Sequence, residues 1–182
     1  MIEAKEFTLK DNKQLTCLYP VPDDASRIIA YLNMVGGETD FLSYGLNEFP
    51  ISVEEEFKFI ESWRKENKNL MLMGLVDGEV ASMLTLGTRT NSRTKHCATF
   101  GITVAKKYWH LGIARSMMER MQEWIERSAD YVKKIELEVD SRNERAIKLY
   151  QNFGFEVEGK RLKAFCIDGQ YLDNTLMGYW RS

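Results

Sequence analysis

Two stretches of the sequence hold residue types and spacings that can do chemistry. The first is Val104-Ala105-Lys106-Lys107-Tyr108-Trp109-His110-Leu111-Gly112-Ile113-Ala114. It leaves an alternating strand, turns at Gly112 and enters an amphipathic helix. A turn that opens a helix presents unpaired N–H groups and the positive end of the helix dipole, which together suit an anion such as a phosphate. Gly112 and Ala114 lack bulk, so a phosphate can approach the backbone closely. Two phosphate binders are excluded. A nucleoside-triphosphate loop needs Gly-Lys-Ser or Gly-Lys-Thr at this turn, and Gly112 is followed by Ile113 and Ala114. A dinucleotide fingerprint needs three spaced glycines, and only Gly112 is present. The second stretch, Val139 to Phe155, reads as a strand, a helix capped by Asn143 and a stop at Gly154. Asn143, Ala146 and Tyr150 are spaced by three and four, which puts them on one helical face.

The elements that position these residues are legible from hydrophobic period and turn chemistry. Strands are expected at Phe7–Leu9 and Leu15–Tyr19. A helix opens at Pro22 and ends at Gly36-Gly37. The segment from Glu38 to Pro50 has no clear period and reads as a loop or broken helix. Ser52 and Glu55 form a capping box ahead of a helix with Phe57, Ile60 and Trp63 on its apolar face. Leu70–Val76 and Val80–Leu86 form a hairpin about Asp77-Gly78. Ala98, Phe100, Ile102 and Val104 alternate with Thr99, Gly101 and Thr103 as a further strand. Ile113, Ala114, Met117, Met118, Met121, Trp124 and Ile125 recur at helical spacing, a core-packing stripe. Ile135, Leu137 and Val139 alternate in another strand, and Phe155–Ile167 and Tyr171–Trp180 form a last hairpin about Asp168-Gly169. This order implies a mixed α+β (α/β) sheet, mostly antiparallel, with helices on its faces.

The 182 residues suit a single domain over 1–182, with 44% hydrophobic and 29% charged residues, which excludes disordered and fibrous classes. Lys and Arg number 25 against 27 Asp and Glu, so nothing suggests a nucleic-acid surface. No apolar run approaches a membrane span. The opening Met1-Ile2-Glu3-Ala4-Lys5-Glu6 has no apolar signal core, so a cytoplasmic location is expected. Cys17, Cys97 and Cys166 lack disulfide or metal spacing and read as reduced thiols inside strands, with no metal site.

Together the two stretches resemble the GCN5-related N-acetyltransferase (GNAT) superfamily, with likeness to bacterial ribosomal-protein N-terminal and polyamine acetyltransferases. Trp109, Gly112 and Ala114 occupy the family's pyrophosphate loop, Gln/Arg-x-x-Gly-x-Gly/Ala. Asn143, Ala146, Tyr150, Gly154 and Phe155 match its Asn-x-x-Ala-x-x-x-Tyr-x-x-x-Gly-Phe run. The chain departs at Trp109, where Gln or Arg is usual, and at His110, where glycine is frequent.

The resemblance implies a fold whose sheet splays between two neighbouring strands to admit acetyl-coenzyme A, and a reaction in which a primary amine attacks directly in a ternary complex. It implies that the main chain of Ile102, Thr103 and Val104 pairs with the pantetheine arm, and that the amides of His110, Leu111, Gly112, Ile113, Ala114 and Arg115 receive the pyrophosphate. Asn143 would hold the pantetheine end and Tyr150 would stand by the thioester sulfur, on the face shared with Ala146. Asn143 also suits a plain N-cap, and Tyr150 a core aromatic. His110 and His96 read as loop and structural residues. Relatives often carry a glutamate near the position of Thr99. No acid occurs from His96 to Val104, so the base is open and Glu138 is a guess.

The acceptor is expected to be a small cationic amine or a protein N-terminus. Glu38, Asp40, Glu48, Glu54, Glu55 and Glu56, with no Lys or Arg among them, would form an acidic rim that steers a cation, or else a solvated helix start. The competing class is a non-catalytic coenzyme A-binding module of the same fold. Strand edges near Tyr171 to Trp180 permit a homodimer.

Overall fold

Turn chemistry sets the sheet's connectivity. Asp77 and Gly78 have φ of 52° and 81°, and Asp168 and Gly169 have 48° and 78°. Positive φ at both central residues is the hairpin turn whose twist matches its flanking strands. In the computed structural model, which describes residues 3–181, these turns join β3 (Leu70–Val76) to β4 (Glu79–Thr88) and β7 (Glu156–Ile167) to β8 (Gln170–Trp180). Met1 and Ile2, which begin the N-terminal stretch read above, and Ser182 lie outside the described residues.

The remaining strands are β1 (Lys5–Thr8), β2 (Gln14–Leu18), β5 (Cys97–Val104) and β6 (Lys134–Asp140). All eight form one sheet in the order β1-β2-β3-β4-β5-β6-β8-β7. Every neighbouring pair is antiparallel except β5 and β6. These run parallel and pair at only three positions, Cys97 with Lys134, Ala98 with Ile135 and Thr99 with Glu136. Beyond Thr99 the two strands part, and the sheet opens.

Among the described residues, four α-helices cover the sheet. α1 (Ala25–Gly36) and α2 (Val53–Glu66) lie on one face, where the α1 residue Tyr31 bonds Thr103 and Trp63 of α2 stands over Gly87. α3 (Ile113–Ser128) and α4 (Glu144–Asn152) lie on the other, with Met117 against Cys17 and Gly74, and Tyr150 edge-on to Phe100 at 5.8 Å. The stripe of Met117, Met118 and Met121 is buried core, as its spacing predicts. Leu70, Leu72, Leu84 and Leu86 of the sheet, with Ile28 of α1 and Ile60 of α2 on the opposite face, are fully buried as well. Each such side chain contributes about 1.5–3 kcal/mol of burial. Cys17, Cys97 and Cys166 are free thiols within strands.

One expectation is corrected. β8 pairs with β6 on one side and with β7 on the other, so the run from Tyr171 to Trp180 is interior to the sheet. The outer strand on this side is β7, because the final hairpin folds back with its first strand outside.

Candidate active site

The parting of β5 from β6 leaves the backbone edge of β5 without a strand partner. Hydrogen-bond parity shows which residues offer that edge. Ala105 N–H donates to the Ala81 carbonyl at 3.0 Å, in register with the Met83–Thr103 pair. Alternate residues of an antiparallel ladder bond the same neighbour. Thr103 therefore bonds across to β4, and Ser82 Oγ also donates to its carbonyl at 2.7 Å. The expectation that Thr103 offers its main chain to the gap is thereby corrected. Its Oγ1 instead accepts from the Tyr31 hydroxyl at 3.1 Å. Ile102 and Val104 have the opposite parity and turn their amides toward the opening. The Val104 carbonyl is already engaged by the Trp109 indole Nε1, which donates to it at 2.8 Å. That bond is what the unusual tryptophan does in this loop.

The turn that follows is built on two left-handed residues. Gly112 has φ of +99° and His110 of +70°. A Cβ built on Gly112 would meet nothing within 4 Å, so the turn faces open space and the glycine is required for its backbone angle. Histidine is among the few side chains that visit this region, which explains how His110 replaces a glycine. As the N-cap of α3, Gly112 offers no side-chain bond, whereas Ser52 caps α2 and Asn143 caps α4. The first amides of α3, those of Ile113, Ala114 and Arg115, have no partner one turn back. Leu111 differs from its neighbours. Its side chain packs against the core and its carbonyl accepts from Lys10 N–H at 3.3 Å.

The opposite wall comes from the β6–α4 connection. Asp140 is buried, and its carboxylate accepts from the Arg142 amide at 2.8 Å and from the Arg142 guanidinium at 2.7–3.2 Å. Burial pushes the Asp140 pKa up, but the Arg142 bonds outweigh it and hold the carboxyl below its usual value. This clamp fixes the turn that presents Asn143. The Asn143 Oδ1 accepts from Ala146 N–H at 3.1 Å, so the residue is an N-cap, and its Nδ2 remains for a ligand. Tyr150 is 8% exposed and packs with Phe100 and Phe155. Burial raises its phenol pKa. Arg145 sets its guanidinium against the His110 ring, 2.5 and 2.9 Å from the two imidazole nitrogens, and so places a cation beside the Gly112 turn.

These residues line one cleft of about 1220 Å³. Every site residue expected from the sequence lies on it except Leu111. The cleft continues through the opening to the α1–α2 face. There the loop between α1 and α2 supplies Phe41, Tyr44 and Phe49, and α2 supplies Glu56, Phe59 and Trp63.

Of the acidic residues from Glu38 to Glu56, most have local partners. Glu38 accepts from Lys106 N–H at 2.7 Å and Glu48 from Gly45 N–H at 2.8 Å. Glu54 pairs with Lys58 at 2.6 Å, and Glu55 completes the capping box with Ser52 at 2.8 Å. Only Glu56 is buried on the cleft wall, a placement that the sequence does not single out. Glu138 also lines the cleft, and its carboxylate accepts from Asn174 Nδ2 at 3.2 Å and pairs with Arg161 at 2.8 Å.

The arrangement fits a long, flexible, anionic thioester. It has an unpaired backbone edge for amides, an uncapped helix start for a diphosphate and a buried hydroxyl beside the opening. Comparison with known proteins agrees. Residues 39–155 match the Acetyltransferase (GNAT) family. The L-amino acid N-acetyltransferase AaaT of Escherichia coli K12 is 36% identical over 110 residues, 58% of this chain and 65% of that protein. The spermidine N(1)-acetyltransferase of the same organism is 32% identical over 95 residues, 52% of this chain and 50% of that protein. The chain thus spans one half to just under two thirds of these curated relatives. A solved acetyltransferase of the GNAT family from Streptococcus pneumoniae superposes with a TM-score of 0.87 at 28% identity, covering 92% of this chain and 99% of that one. The fold is also that of yncA from Salmonella typhimurium, solved with acetyl-CoA, at a TM-score of 0.78 and 17% identity over 91% of this chain and 93% of that one. With half of the chain and more matched to the family, and its loop and opening in place, the chain belongs to the GNAT acetyltransferases, which use acetyl-coenzyme A as co-substrate.

Proposed function

We propose that this protein transfers the acetyl group of acetyl-coenzyme A to a primary amine, by direct attack in a ternary complex. The acceptor is a small cationic amine such as a polyamine, or a protein N-terminus. The observation that carries this reading is the opening between β5 and β6, reached from both faces of the sheet. Ile102 and the Gly112 turn lie toward the coenzyme, and an aromatic, partly acidic lobe lies toward the acceptor. Relatives named for the N-acetylation of amino acids and of spermidine support an amine as the acceptor.

Acetyl-coenzyme A supplies the activated thioester. The chain supplies position and hydrogen bonds. The amides of Ile102 and Val104 align the pantetheine arm, with Asn143 Nδ2 at its end. The amides of His110, Gly112, Ile113, Ala114 and Arg115, with Arg145 near, hold the diphosphate. The Tyr150 hydroxyl donates a hydrogen bond to the departing sulfur. A phenol near pKa 10 is already a weaker acid than a thiol near 8.5, by about 2 kcal/mol, and burial of Tyr150 widens that difference. Donation without full proton transfer follows. The attacking amine needs help as well. At an ordinary pKa near 10.4, about one molecule in a thousand is neutral at pH 7, a cost of about 4–5 kcal/mol that a desolvating cleft reduces.

Release of free thiol on adding an amine panel to the protein and acetyl-coenzyme A tests the reading. Amine-dependent release well above hydrolysis is expected. Calorimetric binding of the coenzyme with no release for any amine would instead identify a coenzyme A-binding module without catalysis.

A further inference from the structure

Glu56 is 4% exposed on the wall of the acceptor lobe, yet burial is the only influence on its carboxyl, which is raised accordingly. No ion pair or hydrogen bond to that carboxylate occurs among the described residues. A buried acid in this position is costly unless something compensates it. The contrast with Glu138 is direct, since Arg161 and Asn174 already satisfy that carboxylate.

The other unmet groups in the cleft have compatible chemistry. The Tyr44 hydroxyl and Asn174 Oδ1 are sealed from solvent and lack partners, and both residues line the cleft. The Asn174 assignment follows from its Nδ2, which donates to Glu138. Glu56 and Asn174 Oδ1 can only accept, and a tyrosine hydroxyl can accept as well. These three groups can therefore each receive a donor from a bound ligand, while the cleft's own cations Arg142 and Arg161 are held by Asp140 and Glu138. The walls of the lobe are also aromatic. Phe59 lies 4.4 Å from Trp63 between ring centres, one and two turns along α2 from Glu56, and Tyr44 and Phe49 meet edge-on at 5.1 Å. Aromatic faces and an uncompensated carboxylate together select an organic cation.

Glu56 belongs to the α1–α2 face, whereas Tyr150 belongs to the α3–α4 face, and both line the one cleft that passes the opening between β5 and β6. From this placement we infer that Glu56 anchors a second ammonium group of the acceptor, remote from the amine that is acetylated. The acceptor class is then an aliphatic diammonium compound, held at Glu56 by one end while the other enters the opening. This inference rests on the acetyl-transfer reading and assigns a specificity residue to it.

Matched amines test it, with 1,5-diaminopentane and n-pentylamine as probes. Wild-type kcat/KM should favour the diamine by about tenfold or more, the scale of one compensated buried charge. Glu56→Gln, which keeps shape and removes charge, should abolish that preference by raising the diamine KM about tenfold. The diamine kcat, the pentylamine constants and the acetyl-coenzyme A KM should stay within about twofold. Equal wild-type efficiency for the two amines would overturn the anchor, as would an unchanged diamine KM in the variant or a fall in kcat for both amines. Calorimetry with 1,5-diaminopentane alone reads the anchor apart from turnover. Binding to wild type that is lost in Glu56→Gln supports it, and equal affinity overturns it. Absence of thiol release from wild type with every amine would instead defeat the acetyl-transfer reading, and the calorimetric comparison would still decide the role of Glu56.

Discussion

The indole of Trp109 donates to the carbonyl of Val104 at 2.8 Å, tying the loop back onto the last residue of β5. The bond engages one of the few backbone acceptors that face the opening, and it fixes where the loop leaves the strand. Trp109→Phe keeps an aromatic ring and deletes the donor together with part of the ring surface. The expected cost is about 1 kcal/mol of stability, read by denaturant titration. Acetyl-coenzyme A affinity should fall less than it does for a change at Gly112, because the turn's amides are untouched. A variant as stable as wild type would show that the bond does not hold the loop.

His110 and Gly112 share positive φ, and opposite substitutions at the two positions should separate backbone from side chain. A left-handed angle costs a side chain about 1–2 kcal/mol. Gly112→Val should therefore disturb the turn and lose coenzyme binding by calorimetry while circular dichroism stays native. Unchanged affinity would remove the diphosphate from this turn. His110→Gly relieves strain at the cost of greater freedom in the unfolded chain, so its melting temperature should match or exceed that of wild type. A drop of several degrees would mean that the contact with Arg145 outweighs the backbone strain.

Ser52 and Glu55 belong to helix capping, which separates them from acceptor recognition. Ser52→Ala should destabilise the protein by about 1 kcal/mol. Bonds from the Ser52 amide and hydroxyl lower the Glu55 pKa. An acid lowered on folding stabilises the native state above its unfolded pKa, near 4.3, and loses that effect as pH falls through the lower folded value. Stability should accordingly decline below about pH 4 less steeply in Glu55→Gln than in wild type. The acceptor KM should be indifferent to Glu55→Gln. A raised KM would return this residue to the steering role that the acidic run suggests in sequence.

Much of this was legible before any coordinates. Period and punctuation place all eight strands and four helices, because Asp77-Gly78, Asp168-Gly169 and the Ser52–Glu55 box act locally and do so in the fold. Gly112, Asn143 and Tyr150 stand out for the same reason, since a turn glycine, a cap and a helical face are short-range signals. What depended on pairing was hidden. Whether Thr103 or Ile102 faces the opening follows from the β4–β5 register, which alternation alone does not set. The interior place of β8 depends on how the last hairpin folds back. Glu56 looks like its neighbours Glu54 and Glu55 in sequence, and only the packing of α2 on the sheet buries one of the three.

The most direct measurement is single-turnover acetyl transfer by Tyr150→Phe. The ring stays packed against Phe100 and Phe155, and only the hydroxyl is lost. Tyr150 is the seventh residue of α4, beyond the reach of the helix dipole, so its effect rests on that hydroxyl. The account predicts a rate about 10²–10⁴-fold lower, with acetyl-coenzyme A affinity little changed. A rate within a fewfold of wild type, measured where chemistry limits turnover, would contradict it and leave Tyr150 as a core aromatic.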